Sequence, residues 1–156
     1  MKFKTKQVNE KSSPKAYCSW EEVESLTKIV ADKIRSSNKR YDAILGITNG
    51  GIIPARLMAR ELDINQIQFI PIRNRKLQKQ EMPPLYKDKK YLIVDEIYDT
   101  GDTFSKVHDA VRGFDCDFAF LMRRFKGNDR DGGAYIGRVL NHKKWIVFPW
   151  GRKIVS

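Results

Sequence analysis

The 156-residue sequence predicts an α/β domain with a mainly parallel sheet flanked by helices. Three observations predict it. Short apolar runs alternate with segments of helical periodicity, the pattern of strand–helix–strand units whose strands run parallel. The length suits one domain, residues 1–156, around a single core. Three strand-like runs each end in an unusual loop, "TNGG", "RNRK" and "DEIYDTGDT". In an open parallel sheet such loops gather at the carboxyl edge, where ligands bind.

The elements follow in order. "MKFKTKQVNEKSSPK" is basic with no apolar segment after it, so it reads as a polar lead-in that orders only if something holds it. In "SWEEVESLTKIVADKIRSS", Ser19 and Glu22 form a capping box, and Val23, Leu26, Val30 and Ile34 make one helical face. Ala43 to Ile47 reads as a buried strand running into a Gly-rich turn. Pro54 sits near the start of a helix reaching about Leu62. "QIQFIPI" is a second short strand. "RNRKLQKQEMPPLYKDKK" is long, polar and mostly cationic, as lids and binding loops are. Tyr91 to Val94 is a strand that stops at Asp95, and a helix runs from about Thr103 to Arg112. "DFAFLM" is another strand. Turn signals at Gly127 and Gly132-Gly133 separate it from strand-like pieces at Ala134 to Ile136 and Trp145 to Phe148.

The net charge of +11 and pI near 9.7 suit an anionic partner: nucleic acid, an acidic membrane surface or a polyphosphate metabolite. Charge alone does not choose among them, and a basic surface that serves solubility is the alternative. No apolar run approaches the length of a membrane span. Cys18 and Cys116 are isolated, which predicts free thiols in a reducing, cytoplasmic setting. His108 and His142 lack a ligand partner at useful spacing.

"YLIVDEIYDTGDTF" is the stretch that carries chemistry. An apolar run empties into Asp95, Glu96 and Asp99, then Thr100-Gly101-Asp102-Thr103. A glycine between two threonines at a helix start can cradle a phosphate through backbone amides, the helix dipole and two hydroxyls. It can equally be a plain N-cap. The acids shift that balance. Asp95 and Glu96 can accept hydrogen bonds from the vicinal hydroxyls of a ribose, or help hold Mg2+, which takes a few carboxylates plus substrate oxygens. A phosphate cradle beside a diol-binding acid pair describes a ribose 5-phosphate site.

The stretch resembles the PRPP-binding motif of the type I phosphoribosyltransferases: four apolar residues, two acids, two apolar residues, then Asp99-Thr100-Gly101-Asp102-Thr103. The second acid of that motif is usually Asp; here it is Glu96. Asp102 puts a carboxylate in the phosphate loop, which requires its side chain to face solvent or Lys106. The remainder is most similar to the small bacterial xanthine-guanine and hypoxanthine purine enzymes. That resemblance implies a phosphoribosyltransferase fold with a mobile loop at about 73–89 and a base-binding hood mainly at 124–156. It implies pyrophosphate contacts from Thr48, Asn49, Gly50, Gly51 and Arg73, although Asn49 stands where the family often carries a basic residue. "KKWIVFPW" resembles the segment in which an aromatic ring, here Trp145, stacks on the purine and the next backbone, Ile146, reads its edge. A core aromatic in an alternating strand is the other reading of Trp145. Arg123, Arg124 and Lys126 compete to donate to the purine 6-oxygen, and alignment with the preceding strand favours Arg124.

The resemblance further implies Asp99 as the base that handles the N7 proton, PRPP and a purine as substrates, Mg2+ held by Asp95 and Glu96, and a homodimer or homotetramer. A regulator that senses PRPP or a nucleotide and binds nucleic acid through its basic surface is the competing expectation.

Overall fold

The computed structural model describes residues 14–125 and 132–151. In chain order its elements begin with β1 (Lys15–Tyr17), α1 (Trp20–Ser36), β2 (Ala43–Ile47), α2 (Ile52–Leu62) and β3 (Ile67–Ile70). A short hairpin follows, β4 (Ile72–Arg73) with β5 (Lys76–Leu77). Then come β6 (Lys90–Tyr98), α3 (Asp102–Ala110), β7 (Asp115–Arg124), β8 (Tyr135–Leu140) and β9 (Trp145–Val147). Single 3-10 turns occupy Lys79–Glu81 and Pro149–Gly151.

The central sheet has the order β3–β2–β6–β7–β8, with every neighbouring pair parallel. Parallel strands need crossovers, and the helices that supply them cover both faces. Alternate residues of β6 serve the two faces. Leu92 and Val94 pack with Val30, Ile34 and Met58 of α1 and α2. Tyr91 and Ile93 pack with Phe104 and Val107 of α3 and with Phe118 and Phe120 of β7. Every residue of β2 is buried, as the continuous apolar run predicts for a central strand. A third apolar cluster, with Cys18, Val23, Leu26, Leu121 and Phe148, joins the start of α1 to the C-terminal end of the described chain.

Ser19 caps α1, its hydroxyl accepting from the Glu22 amide at 3.1 Å. The Glu22 carboxylate pairs with Arg138 of β8, so half of the capping box is used locally and half tertiarily. β6 is longer than its apolar core. The ladder to β7 continues through Asp95↔Phe120, Ile97↔Met122 and Tyr98↔Arg123, so Asp95 and Glu96 lie within the strand and not after it. Apolar pattern finds the buried part of a strand; pairing with a neighbour carries it further. α3 begins one residue earlier than expected and ends two residues earlier, at Ala110.

Two segments read as irregular have structure. Lys15–Tyr17 pairs in parallel with Trp145–Val147, so a strand near the start of the described chain is held by one near its end. Within the cationic loop, β4 and β5 form a hairpin whose turn residues, Asn74 and Arg75, have φ of 52° and 62°. Asn accepts that left-handed region more readily than most residues do. Leu77, Met82 and Leu85 pack against the core below α3, and the Lys106 Nζ donates to the Arg75 carbonyl at 2.6 Å. Cys18 and Cys116 are both free thiols, and burial pushes the Cys116 thiol up to about 12. Among the described residues no helix is long and apolar enough to cross a membrane.

Candidate active site

The carboxyl ends of β2, β3 and β6 bring the three unusual loops to one edge, as a parallel sheet requires. The loop from Asp99 to Thr103, with the end of β6, lines a small cleft of about 190 Å3. The N-cap of α3 is Gly101, and no side chain caps the helix. Beyond the first residue, the amides of Thr103 and Phe104 receive no side-chain cap, and the Thr103 hydroxyl makes no hydrogen bond among the described residues, which suits an anion. Thr100 Oγ1 accepts from the Asp102 amide at 3.3 Å. The Asp102 carboxylate turns back to Lys106 at 2.9 Å, away from the space an anion would fill. Lys106 thus joins the phosphate-type loop to the hairpin above it.

Asp95 and Glu96 are strand neighbours, so their side chains leave opposite faces of β6. Both line the loop cleft, but Glu96 also lines a second one. Burial pushes the Asp95 carboxyl well above its ordinary range. The Glu96 charge adds to that, and the hydrogen bond from the Glu96 amide, at 2.8 Å, opposes it. Burial also raises Glu96, against a hydrogen bond from the Trp150 indole Nε1 at 2.7 Å. Two crowded carboxyls disfavoured as anions form a site that a cation would relieve. These oxygens are hard ligands of the kind Mg2+ takes; because the two side chains leave opposite faces of β6, one ion would take a single carboxylate, Asp95 or the remaining oxygen of Glu96, with substrate oxygens completing the shell.

The second cleft, about 700 Å3, lies between the β1–β9 pair and the loop after β2. Asn49, Gly50 and Glu96 line it together with Lys15, Tyr17 and Trp145. Trp145 is 49% exposed, so it is a surface aromatic and not a core one. Ile146 turns its side chain into the apolar cluster beneath. The Trp145 amide donates to Pro14 O and the Val147 carbonyl accepts from Cys18 N, both at 2.9 Å. In a parallel pair, alternate residues of one strand face the partner. Those two bonds therefore leave the Ile146 amide and carbonyl on the edge of β9 that, among the described residues, no strand pairs with. A Cβ at Gly50 would sit 2.5 Å from Glu96 Cδ, so a side chain there would displace the Glu96 carboxylate.

Not every expected residue reaches these clefts. Thr48 Oγ1 is bound into the β3–β4 junction, where it accepts from the Ile72 amide at 3.1 Å and donates to Ile70 O at 3.2 Å. Gly51 is packed against the carbonyls of Val94 and Ile47. Arg73 pairs with Glu81 inside the cationic loop. Arg124 lines neither cleft and bonds Asp99 instead. Arg123 is buried over the Tyr98 ring, 4.8 Å from its centroid. Lys126 and Gly127 lie outside the described residues. Conversely, Lys15, Tyr17 and Trp150 enter the site without having been expected there. The Lys15-Ala16-Tyr17 alternation is their local trace, but three residues are too few to separate a strand from a tail.

The chain is similar to a xanthine-guanine phosphoribosyltransferase of Cereibacter sphaeroides, 28% identical over 146 residues that cover 86% of this chain and 85% of that one. It is similar to another of that name from Nitratidesulfovibrio vulgaris, 29% identical over 143 residues, covering 86% and 83%. The crystal structure of a purine phosphoribosyltransferase from Pyrococcus horikoshii Ot3 superposes with a TM-score of 0.73 and 28% identity, over 91% of this chain and 97% of that one. The family defined by the phosphoribosyl transferase domain matches residues 19–156, most of the sequence, so the chain belongs to that family.

Proposed function

We propose that this protein transfers the 5-phosphoribosyl group of PRPP to a 6-oxopurine, releasing pyrophosphate and a nucleoside monophosphate, as a purine salvage enzyme. The observation that carries the reading is the meeting of two clefts at Glu96. One is of phosphate size at the start of α3, and the other is wide and walled by Trp145. A reaction between a sugar phosphate and an aromatic base needs that pairing, with the base held beside C1 of the ribose.

In this reading the amides at the start of α3 and the Thr103 hydroxyl bind the 5-phosphate, and Asp95 faces the ribose hydroxyls. The purine stacks on Trp145 while the open Ile146 backbone reads its edge. Asp99, beside the loop cleft, accepts the N7 proton as N9 attacks; such general-base help is worth roughly 10²–10⁴-fold. Mg2+, held by Asp95 or Glu96 together with substrate oxygens, would supply Lewis-acid offset of the charge on the leaving pyrophosphate. The cationic hairpin excludes water, which would otherwise hydrolyse PRPP. The net charge of +11 speeds capture of a polyanion, an effect that weakens with salt.

The test is pyrophosphate release from PRPP with guanine, xanthine, hypoxanthine, adenine, uracil and orotate, each with and without Mg2+. Release with a 6-oxopurine and not with a pyrimidine is expected. Release with uracil or orotate alone would reassign the acceptor. PRPP binding with no release on any base, together with salt-sensitive binding of random RNA or duplex DNA, would replace the enzyme by a sensor.

A further inference from the structure

Arg124 ends β7 with a nearly buried guanidinium, its side chain 9% exposed. Its Nε donates to Asp99 Oδ1 at 3.1 Å. Its Nη1 donates to the carbonyl oxygens of His142, at 2.9 Å, and Lys144, at 2.8 Å. A cation taken out of water is costly unless it is paired and hydrogen-bonded, and here one carboxylate and two carbonyls engage its Nε and Nη1. The three acceptors come from two separate loops, one after β6 and one between β8 and β9. A planar fork presents fixed N–H directions that can meet three acceptors at once; a lysine has one nitrogen on a flexible stem.

The Lys144 carbonyl belongs to the peptide group that joins Lys144 to Trp145. Holding it fixes the backbone from which the indole leaves. Asp99 is 44% exposed at the loop cleft, and the Arg124 bond is its ion pair. One guanidinium therefore ties the acid at one cleft to the aromatic wall of the other. Arg124 itself lines neither cleft.

We infer that Arg124 is a positioning residue, which sets Asp99 and Trp145 at a fixed separation, and is not a donor to the purine 6-oxygen. The inference rests on the proposed transfer to a purine and assigns a role within it. Its physical basis is pre-organisation: the proton acceptor and the stacked base must be in register before C1 and N9 approach, and a misplacement of about 1 Å can cost about 100-fold.

Arg124→Lys and Arg124→Met test it, assayed with a 6-oxopurine and with competition by the same base lacking its 6-oxygen. The PRPP-induced rise in melting temperature shows that each variant is folded. Both variants are expected to lose kcat by about 10–100-fold, with the KM for PRPP changed by less than about threefold. The affinity ratio of the two bases should stay within about threefold of wild type, because removing a group Arg124 does not touch costs every variant alike. Should Arg124→Met fail to fold, Arg124→Lys, which keeps a cation beside Asp99, carries the same two expectations. A ratio that collapses about tenfold or more in Arg124→Met and recovers in Arg124→Lys would make Arg124 the 6-oxygen donor and overturn the positioning role alone. Wild-type kcat in Arg124→Met would overturn it too. A wild-type protein that releases pyrophosphate with no base overturns the functional reading, and the role falls with it.

Discussion

Gly50 and Gly51 sit side by side in the loop after β2, yet alanine should harm the protein in different ways at the two positions. At Gly51 an added Cβ would lie 2.5 Å from Val94 O, 2.6 Å from Ile47 O and 2.8 Å from Ile47 N. All three are backbone atoms of central strands, so nothing can rotate aside and the loop must lift off β2 and β6. Overpacking of this kind costs about 1–3 kcal/mol or more, and about 2–4 °C of melting temperature accompanies each kcal/mol in a chain of this size. Gly51→Ala should therefore melt about 5–10 °C below wild type. At Gly50 the obstacles are the Glu96 Cδ and Oε1, at 2.5 and 2.6 Å, the far end of a side chain that can swing away. The cost is then the hydrogen bond from Trp150, partly recovered when Glu96 meets water. A bond to a charged group is worth about 1.5–3 kcal/mol, so a net loss nearer about 1 kcal/mol is expected, about 2–4 °C. Function should rank the other way. Gly50→Ala moves an acid that borders both clefts and should raise both substrate KM values while the protein stays folded. Thermal melts of the ligand-free variants, followed by steady-state kinetics, give the comparison. If Gly50→Ala melts as low as Gly51→Ala, Glu96 is not free to yield and the packing argument fails.

Other perturbations separate the roles of single residues. Trp145→Ala should raise the KM for the base by about tenfold and leave that for PRPP unchanged, since base–aromatic stacking is worth about 1–3 kcal/mol; equal loss in both would make the ring structural. Asp99→Asn should lower kcat by about 100-fold with PRPP affinity kept. The helix-capping explanation is already weak, because Gly101 is the N-cap and no side chain caps α3, so a variant with wild-type kcat would remove Asp99 from the chemistry. Asp95→Asn should stabilise the ligand-free protein. The folded-state pKa of Asp95 is raised, so stability falls as pH climbs from the unfolded carboxyl value, about 4, through the folded one, and the penalty is complete above it. The variant should melt about 2–4 °C above wild type at pH 7.5, converge with it near pH 4, and show a smaller shift with PRPP and Mg2+. A lower melting temperature at pH 7.5 would refute the crowding of the two acids.

The sequence alone determined the parts whose cause is local. The α1 face follows from helical spacing and β2 from an unbroken apolar run. The Asp99–Thr103 loop follows from a motif whose glycine, hydroxyls and acids have no simpler joint explanation. The family was legible for the same reason. Tertiary structure alone decided where side chains of similar chemistry went. Arg73, Arg123 and Arg124 are alike in sequence, yet one pairs with Glu81, one lies on the Tyr98 ring and one ties Asp99 to the loop before β9. Asp95 and Glu96 read as one acid pair, but strand geometry sends them to opposite faces, and only the fold brings the Trp150 indole to one of them. The pairing of Lys15–Tyr17 with Trp145–Val147 joins the two ends of the described chain. A three-residue strand has no periodicity to read. Its partner, far away in the chain, is chosen by the packing of Cys18, Val23, Leu121 and Phe148 beneath it, a free energy that exists only once the chain has folded.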